Sequence, residues 1–236
     1  MASSMKITMR SLAKWHVWLG WLVGVPIAMW LATGLFMVSR PIEDVRGEHL
    51  RREIVPQPLS IPGSTLAGAE AKLAAMHVTM QNGRAVAILT GLDGTTRRVD
   101  FATGTPLPPL DAAAARALVA ARIVGGDKTA RVTLFPADQT PFDFRRPLTV
   151  WQVALADGTN VYVGRDTGEI EAVRTRWWRA FDLAWGLHIM DLSEREDTSH
   201  PLLIAFAALS LTGALIGCAL MFRRRKARPA PTTPAA

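Results

Sequence analysis

The sequence has only one cysteine, Cys218, in 236 residues. That excludes an intrachain disulfide framework and any CxxC redox or zinc motif. The residue lies in a strongly apolar run, which predicts a small buried side chain rather than a thiol nucleophile. Acidic residues are missing from both ends. Residues 1–39 carry Lys6, Arg10 and Lys14 with no acid, and 222–236 carry Arg223, Arg224, Arg225, Lys226 and Arg228 with none. The interior, 40–221, holds 19 basic and all 20 acidic side chains, so the formal net charge of +7 belongs to the tails. A nucleic-acid binder carries its basic face within a folded domain, and this pattern argues against one. No glycine-rich phosphate loop, HExxH helix or GxSxG elbow is present, nor a flavin or nicotinamide fingerprint. The chain therefore shows no catalytic motif.

Charge of either sign is absent from two long runs, 24 residues at 15–38 and 22 at 201–222. Each exceeds the roughly 20 residues that cross a hydrocarbon layer as a helix. The first is too long for the apolar core of a signal peptide, and Ser39-Arg40-Pro41 offers no small-x-small cleavage site. Both runs have their basic cluster on the side away from the centre. The positive-inside rule then predicts cytoplasmic termini and an external 40–200, the periplasm of a bacterial inner-membrane protein. Trp15, Trp18 and Trp21, and Trp177, Trp178 and Trp185, fit interfacial anchoring. The expected organisation is a cytoplasmic segment 1–14, a transmembrane helix 15–38 and a periplasmic domain 40–175. After these come an amphipathic juxtamembrane helix and loop 176–199, a transmembrane helix 201–222 and a basic tail 223–236, whose residues 227–236 are expected to be disordered.

Two interior tracts match at a constant offset of 64 residues: Asp93-Gly94-Thr95 with Asp157-Gly158-Thr159, Val99 with Val163, and Thr103-Gly104 with Thr167-Gly168. Asp-Gly between alternating apolar runs predicts β-hairpins on type I′ turns. One joins 85–90 to 95–101. The other joins 149–155 to 159–164, with Trp151, Val153 and Leu155 on one face. Each Thr-Gly closes a further turn. A helix is expected before each hairpin, from Ser64 to about Ala75 and from Asp111 to about Ile123. The second unit has extra residues between Pro136 and Pro147. The fold class is thus membrane α+β, two transmembrane helices flanking a helix-plus-hairpin unit used twice.

The units Asp100-Phe101-Ala102-Thr103-Gly104 and Asp166-Thr167-Gly168 resemble the PepSY domain. Lys14-Trp15-His16-Val17-Trp18-Leu19-Gly20 resembles the opening of the PepSY-associated transmembrane helix family, and Leu31-Ala32-Thr33-Gly34-Leu35 that helix's later Thr-Gly. Trp185-Gly186-Leu187-His188 and Leu209-Ser210-Leu211-Thr212-Gly213 resemble the family's juxtamembrane histidine and final span. The likeness covers roughly 10–222, with two spans where many larger members have four. It implies haem b, reduction of periplasmic ferric chelates, and His16 and His188 as the matching histidines at opposite membrane faces. With only His16 on the inner side, bis-histidine ligation there needs a second copy or a partner subunit. PepSY units also occur in peptidase propeptides, which implies an alternative: a tethered, non-enzymatic sensor or protease-regulating module.

The residues themselves leave alternatives open. His16, Gly20 and Gly24 share a helix face, and span two carries Gly213 and Gly217 at a matching depth. These glycines serve plain helix packing, or a porphyrin groove with His16 as axial ligand. His188 falls on the stripe Trp177, Phe181, Ala184, Trp185, His188 of an amphipathic helix expected over 175–192, with Arg176, Arg179 and Asp182 largely off it. It packs at the interface, or ligates haem iron with His200 or His49 as second ligand; His200 alternatively marks only the entry to the span. His49 reads as solvated and His77 as a strand residue. Asp182, Asp191, Glu194, Glu196 and Asp197 form a solvated loop or a cation site, and no methionine cluster suits copper.

Overall fold

The computed structural model describes residues 8–53 and 73–226. In chain order its elements are α1 (Met9–Val38), α2 (Ile42–Val45), a 3₁₀ turn (Glu48–Leu50), β1 (Leu73–Gln81), β2 (Arg84–Gly91) and β3 (Thr96–Asp100). There follow α3 (Ala112–Arg122), β4 (Thr129–Phe135), β5 (Val150–Leu155), β6 (Asn160–Gly164), β7 (Ile170–Arg174), α4 (Arg176–His188) and α5 (Pro201–Lys226). The chain forms two compact units, Met1–Arg40 with Phe181–Ala236, and Pro41–Ala180.

The first unit contains two helices long and apolar enough to cross a membrane, α1 and α5. Thr8 caps α1 by accepting from the Ser11 N–H, and Pro26 lies inside the helix. Both helices outrun their uncharged stretches, because backbone hydrogen bonding does not stop where charges begin. They pack antiparallel: Leu19 lies over Gly213, and His16 over Gly217. Most of their apolar surface points outward, including Trp15, Trp18, Trp21, Leu31, Leu211 and Leu215. Cys218 is exposed on α5, not buried. An all-round apolar helix offers no periodicity to mark an inner face, so the sequence expectation of burial had no basis in pattern.

The second unit holds two antiparallel sheets, β1-β2-β3 and β4-β5-β6-β7. Both expected hairpins form, and in identical register. The pairs Val86↔Asp100, Ala87↔Val99, Ile88↔Arg98, Leu89↔Arg97 and Thr90↔Thr96 recur 64 residues on, from Val150↔Gly164 to Ala154↔Asn160. The turns differ from expectation. Only the glycines adopt positive φ, Gly94 at 80° and Gly158 at 85°. The Gly94 N–H bonds Gly91 O and the Gly158 N–H bonds Leu155 O, so each is a three-residue loop with one left-handed position rather than a type I′ turn. The aspartate makes the ordinary φ tolerable by accepting from the next-but-one amide, Thr95 on Asp93 and Thr159 on Asp157. The Thr-Gly turns also correspond, with the Gly104 N–H on Asp100 O and the Gly168 N–H on Gly164 O.

Helix α3 forms as expected, its first turn capped by Asp111 accepting from the Ala114 N–H at 2.7 Å. The other expected helix lies outside the described residues up to 72, and its final residues, Leu73–Ala75, belong to β1 instead. Each hairpin is therefore preceded by a strand, directly by β1 in the first case and across the insertion by β4 in the second, and the second sheet gains β7 as well. Ala115 and Val119 of α3, with Ile123 at its C-cap, cover one face of that sheet, against Val153, Leu155, Val161, Val163 and Val173. Phe144 from the 136–147 insertion covers the other, against Val150, Tyr162 and Ala172.

Candidate functional site

The sequence pointed to histidines, and the structure places two of them on helix surfaces in the first unit. His16 projects from α1 onto α5, where its Nδ1 lies 3.1 Å from Gly213 O. A carbonyl only accepts, so Nδ1 carries a proton, and in the neutral ring Nε2 is the acceptor. Gly217 makes this seat possible: a Cβ there would fall 2.7 Å from His16 Cε1. The glycine pairs do not face each other. Gly20 and Gly24 have nothing within 4 Å of a would-be Cβ, while Gly213 and Gly217 receive Leu19 and His16. The helix crossing thus uses the glycines of α5 and leaves those of α1 open.

His188, the last residue of α4, sits on the far part of α1. Its Nδ1 is 3.1 Å from Thr33 Oγ1 and 3.2 Å from Trp30 O. The Trp30 carbonyl only accepts, so Nδ1 carries a proton that Trp30 O and Thr33 Oγ1 can share, while the Thr33 hydroxyl turns to the Met29 or Trp30 carbonyl; in the neutral ring Nε2 is the acceptor. The ring stacks on Trp30 with centroids 4.6 Å apart at 15°, and its Cε1 would lie 3.3 Å from a Cβ on Gly34. Each histidine therefore rests on another helix beside a glycine, His16 on Gly213 O and Gly217, and His188 on Thr33 and Gly34. The two sites are not brought together. Residue 16 and residues 30–34 are separated by about 21–27 Å along α1 at 1.5 Å per residue.

The other candidates have local roles. His200 caps α5: its Nδ1 accepts from the Leu202 N–H at 3.3 Å and its carbonyl from the Ile204 N–H. His49 is exposed beside Asp44, and His77, exposed on β1, faces Glu169 at 3.9 Å. Among the described residues no group of three or more His, Cys, Asp or Glu side chains gathers into a metal-binding cluster.

The acidic stretch is organised, not loose. Asp191 accepts from the Ser193 hydroxyl and from the amides of Ser193, Glu194, Glu196 and Asp197. The Ser193 hydroxyl, followed by the amides of Glu194, Asp197 and Glu196, holds its carboxyl well below the usual range. Asp182, read from the sequence as lying off the apolar stripe, is buried and paired with Arg195 at 2.5 Å. Helix α4 ends at His188 rather than near Leu192, since Met190 turns left-handed at φ 58° and the chain folds back. Trp185 Nε1 then donates to Arg195 O at 3.0 Å. With its oxygens committed to these donors, the stretch reads as a self-capped loop.

A second network went unseen in the sequence. Tyr162, the only tyrosine, is buried on β6 and donates to Asp143 Oδ1 at 2.5 Å while accepting from Gln152 Nε2 at 2.7 Å. Burial, then the hydrogen bond to Asp143, pushes the phenol above its ordinary range. The signal was available: a polar-tipped aromatic inside a valine-rich strand needs a partner. Asp143 lies in the insertion, so this network pins the insertion to the sheet. No protein-family model, curated protein or solved structure matches the chain.

Proposed function

We propose that this chain is a two-pass inner-membrane protein of the PepSY kind that serves as an accessory subunit in electron transfer to a periplasmic acceptor such as a ferric chelate, with haem b held through His16 and His188. The observation that carries the reading is the shared state of the two rings. Each gives its Nδ1 proton to an oxygen of a neighbouring helix, the arrangement that fixes the tautomer and orientation of a ligating histidine. One ligand at each end means that the second comes from another copy or from a partner subunit. Haem supplies a one-electron carrier when bound. The residues of this chain set the ligand's tautomer, hold its plane against a glycine, and keep the two positions at opposite ends of α1. On this reading the tandem sheets are external, and both termini are cytoplasmic.

A second reading has its own support. Gly217 beneath His16 and Trp30 beneath His188 are contacts that lock a helix bundle without any cofactor. The protein would then be a membrane-tethered periplasmic sensor or peptidase-regulating module. One measurement separates the two. The reduced-minus-oxidised visible spectrum of the detergent-solubilised protein, expressed with ample haem, should show a haem b signal that His16→Ala or His188→Ala removes. A colourless preparation overturns the electron-transfer reading, and inhibition of a co-encoded peptidase would then favour the second. Reporter fusions at either terminus that prove periplasmic would overturn the orientation.

A further inference from the structure

Within the second unit, the segment that follows α2 is tied to the second sheet. Gly47 turns left-handed at φ 73°, and a Cβ there would fall 3.0 Å from Val173 Cγ1 of β7. The Arg52 N–H donates to Arg122 O at 2.8 Å and the Val124 N–H to Leu50 O at 2.8 Å, which holds the segment against the end of α3. A slot of about 520 Å³ remains, lined by Arg46, Glu48, Arg51, Arg52 and Glu53 of the segment and by residues 171–174 of β7. Strand β7 is the last of its sheet: it pairs with β6, and among the described residues no strand pairs with its other side. Such an outer strand leaves alternate N–H and C=O groups as a template for one more strand.

We infer that this slot takes a short extended peptide with acidic side chains, which adds to β7 as a further strand and lays its carboxylates against Arg46, Arg51 and Arg52. All three arginines are exposed, and among the described residues none of their side chains has a hydrogen bond or an ion pair. Of the acids in the lining, Glu171 is already engaged by Arg146 and by the Thr167 hydroxyl. Glu48 and Glu53 are the others, so these arginines outnumber the open carboxylates three to two. Backbone pairing supplies affinity with little regard to sequence, and the guanidinium forks, each able to grip a carboxylate with two parallel N–H donors, select its charge. An extended chain puts alternate side chains on opposite faces, so every second residue of the peptide meets the arginines. Such a site lies wholly in the second unit and needs neither haem nor the apolar helices, and so goes beyond both readings above.

The test is the fluorescence anisotropy of labelled hexapeptides mixed with the detergent-solubilised full chain. A peptide alternating valine and glutamate should bind, and its valine–glutamine and valine–lysine counterparts should bind about tenfold more weakly or worse. Methylating every second backbone nitrogen of the valine–glutamate peptide removes N–H donors and keeps every charge. In one of its two phases this should abolish binding, because only one phase faces β7. The combined variant Arg46→Gln, Arg51→Gln and Arg52→Gln should lose the preference for glutamate over glutamine while keeping the thermal transition of the parent. Should that variant fail to fold, the peptide series on the unaltered chain decides by itself. Equal affinity for the glutamate and glutamine peptides overturns the inference, as does no binding at about 1 mM. Binding that ignores methylation in both phases and yields to inorganic phosphate reveals a bare anion patch, and overturns it too. Every one of these results is independent of whether the preparation shows a haem signal.

Discussion

On the strand that follows the turn of the first hairpin, position 97 is an exposed arginine; 64 residues on, the same register position is Val161, fully buried under α3. The neighbouring pair is Arg98 and Tyr162, and the pair across the hairpin is Ile88 and Gln152. One backbone plan thus carries two side-chain plans. In the second sheet both faces are closed, one by α3 and one by the insertion around Phe144. In the first, a cavity of about 450 Å³ opens along Leu73, Leu89, Leu92 and Arg97. Arg98 is used differently from Tyr162: its Nη1 meets Gln81 Oε1 at 3.0 Å and its Nη2 meets Pro108 O at 2.7 Å. Hairpin register is fixed by turn chemistry and backbone bonds, while the covers decide which face tolerates charge.

The largest expected contrast comes from placing one charge at the matched positions. Val161→Asp buries an unpaired carboxylate and should cost more than about 4 kcal/mol, abolishing the cooperative thermal transition of the second sheet. Arg97→Asp should change stability by no more than about 0.5 kcal/mol. Equal effects in calorimetry would show that the first sheet is covered after all. Next in size is Asp143→Ala, which strands the buried Tyr162 hydroxyl and frees the insertion. It should cost about 1–3 kcal/mol and speed limited proteolysis within 136–147, leaving cleavage near the first sheet unchanged.

The matched glycines sharpen the comparison further. Gly94→Ala and Gly158→Ala each impose a left-handed alanine, worth about 1–2 kcal/mol. Gly158 also faces Arg176 Nε at 3.0 Å from a would-be Cβ, whereas Gly94 faces open space. Gly158→Ala should therefore lower the midpoint more, in the same calorimetric measurement. The smallest effect concerns Glu169, whose counterpart is Thr105. Burial foremost, and Glu171 beside it, raise the Glu169 carboxyl above its ordinary value against the opposing pull of His77. A raised folded value means that the stabilising contribution is complete below the unfolded value and is lost as pH climbs through the folded one. Glu169→Gln should melt about 1–3 °C higher than the parent at pH 7 and no higher at pH 4.

Both hairpins were legible because Asp-Gly and Thr-Gly demand a left-handed residue at fixed places, and the structure puts glycine at each. The turn type was not, since Asp93 and Asp157 avoid positive φ by bonding a nearby amide. Strands β4 and β7 went unread. The run Thr129–Phe135 is separated from its partner by the insertion, and Ile170–Arg174 is too short to show alternation. The histidines were legible as candidates, but their partners lie 155 and 197 positions away in the chain. No local pattern carries such a pairing, nor does one reveal that Arg195 folds back onto Asp182.

Helix α1 is gripped twice by different neighbours, by α5 through His16 and by α4 through Thr33. A piston stroke of α1 along its axis would have to strip a proton-sharing contact at both stations at once. Rotation about the same axis would pull His16 Nδ1 away from Gly213 O and Thr33 away from His188. Bending costs neither contact, and the natural elbow is Pro26, between the two clamps, where the backbone ladder lacks a rung.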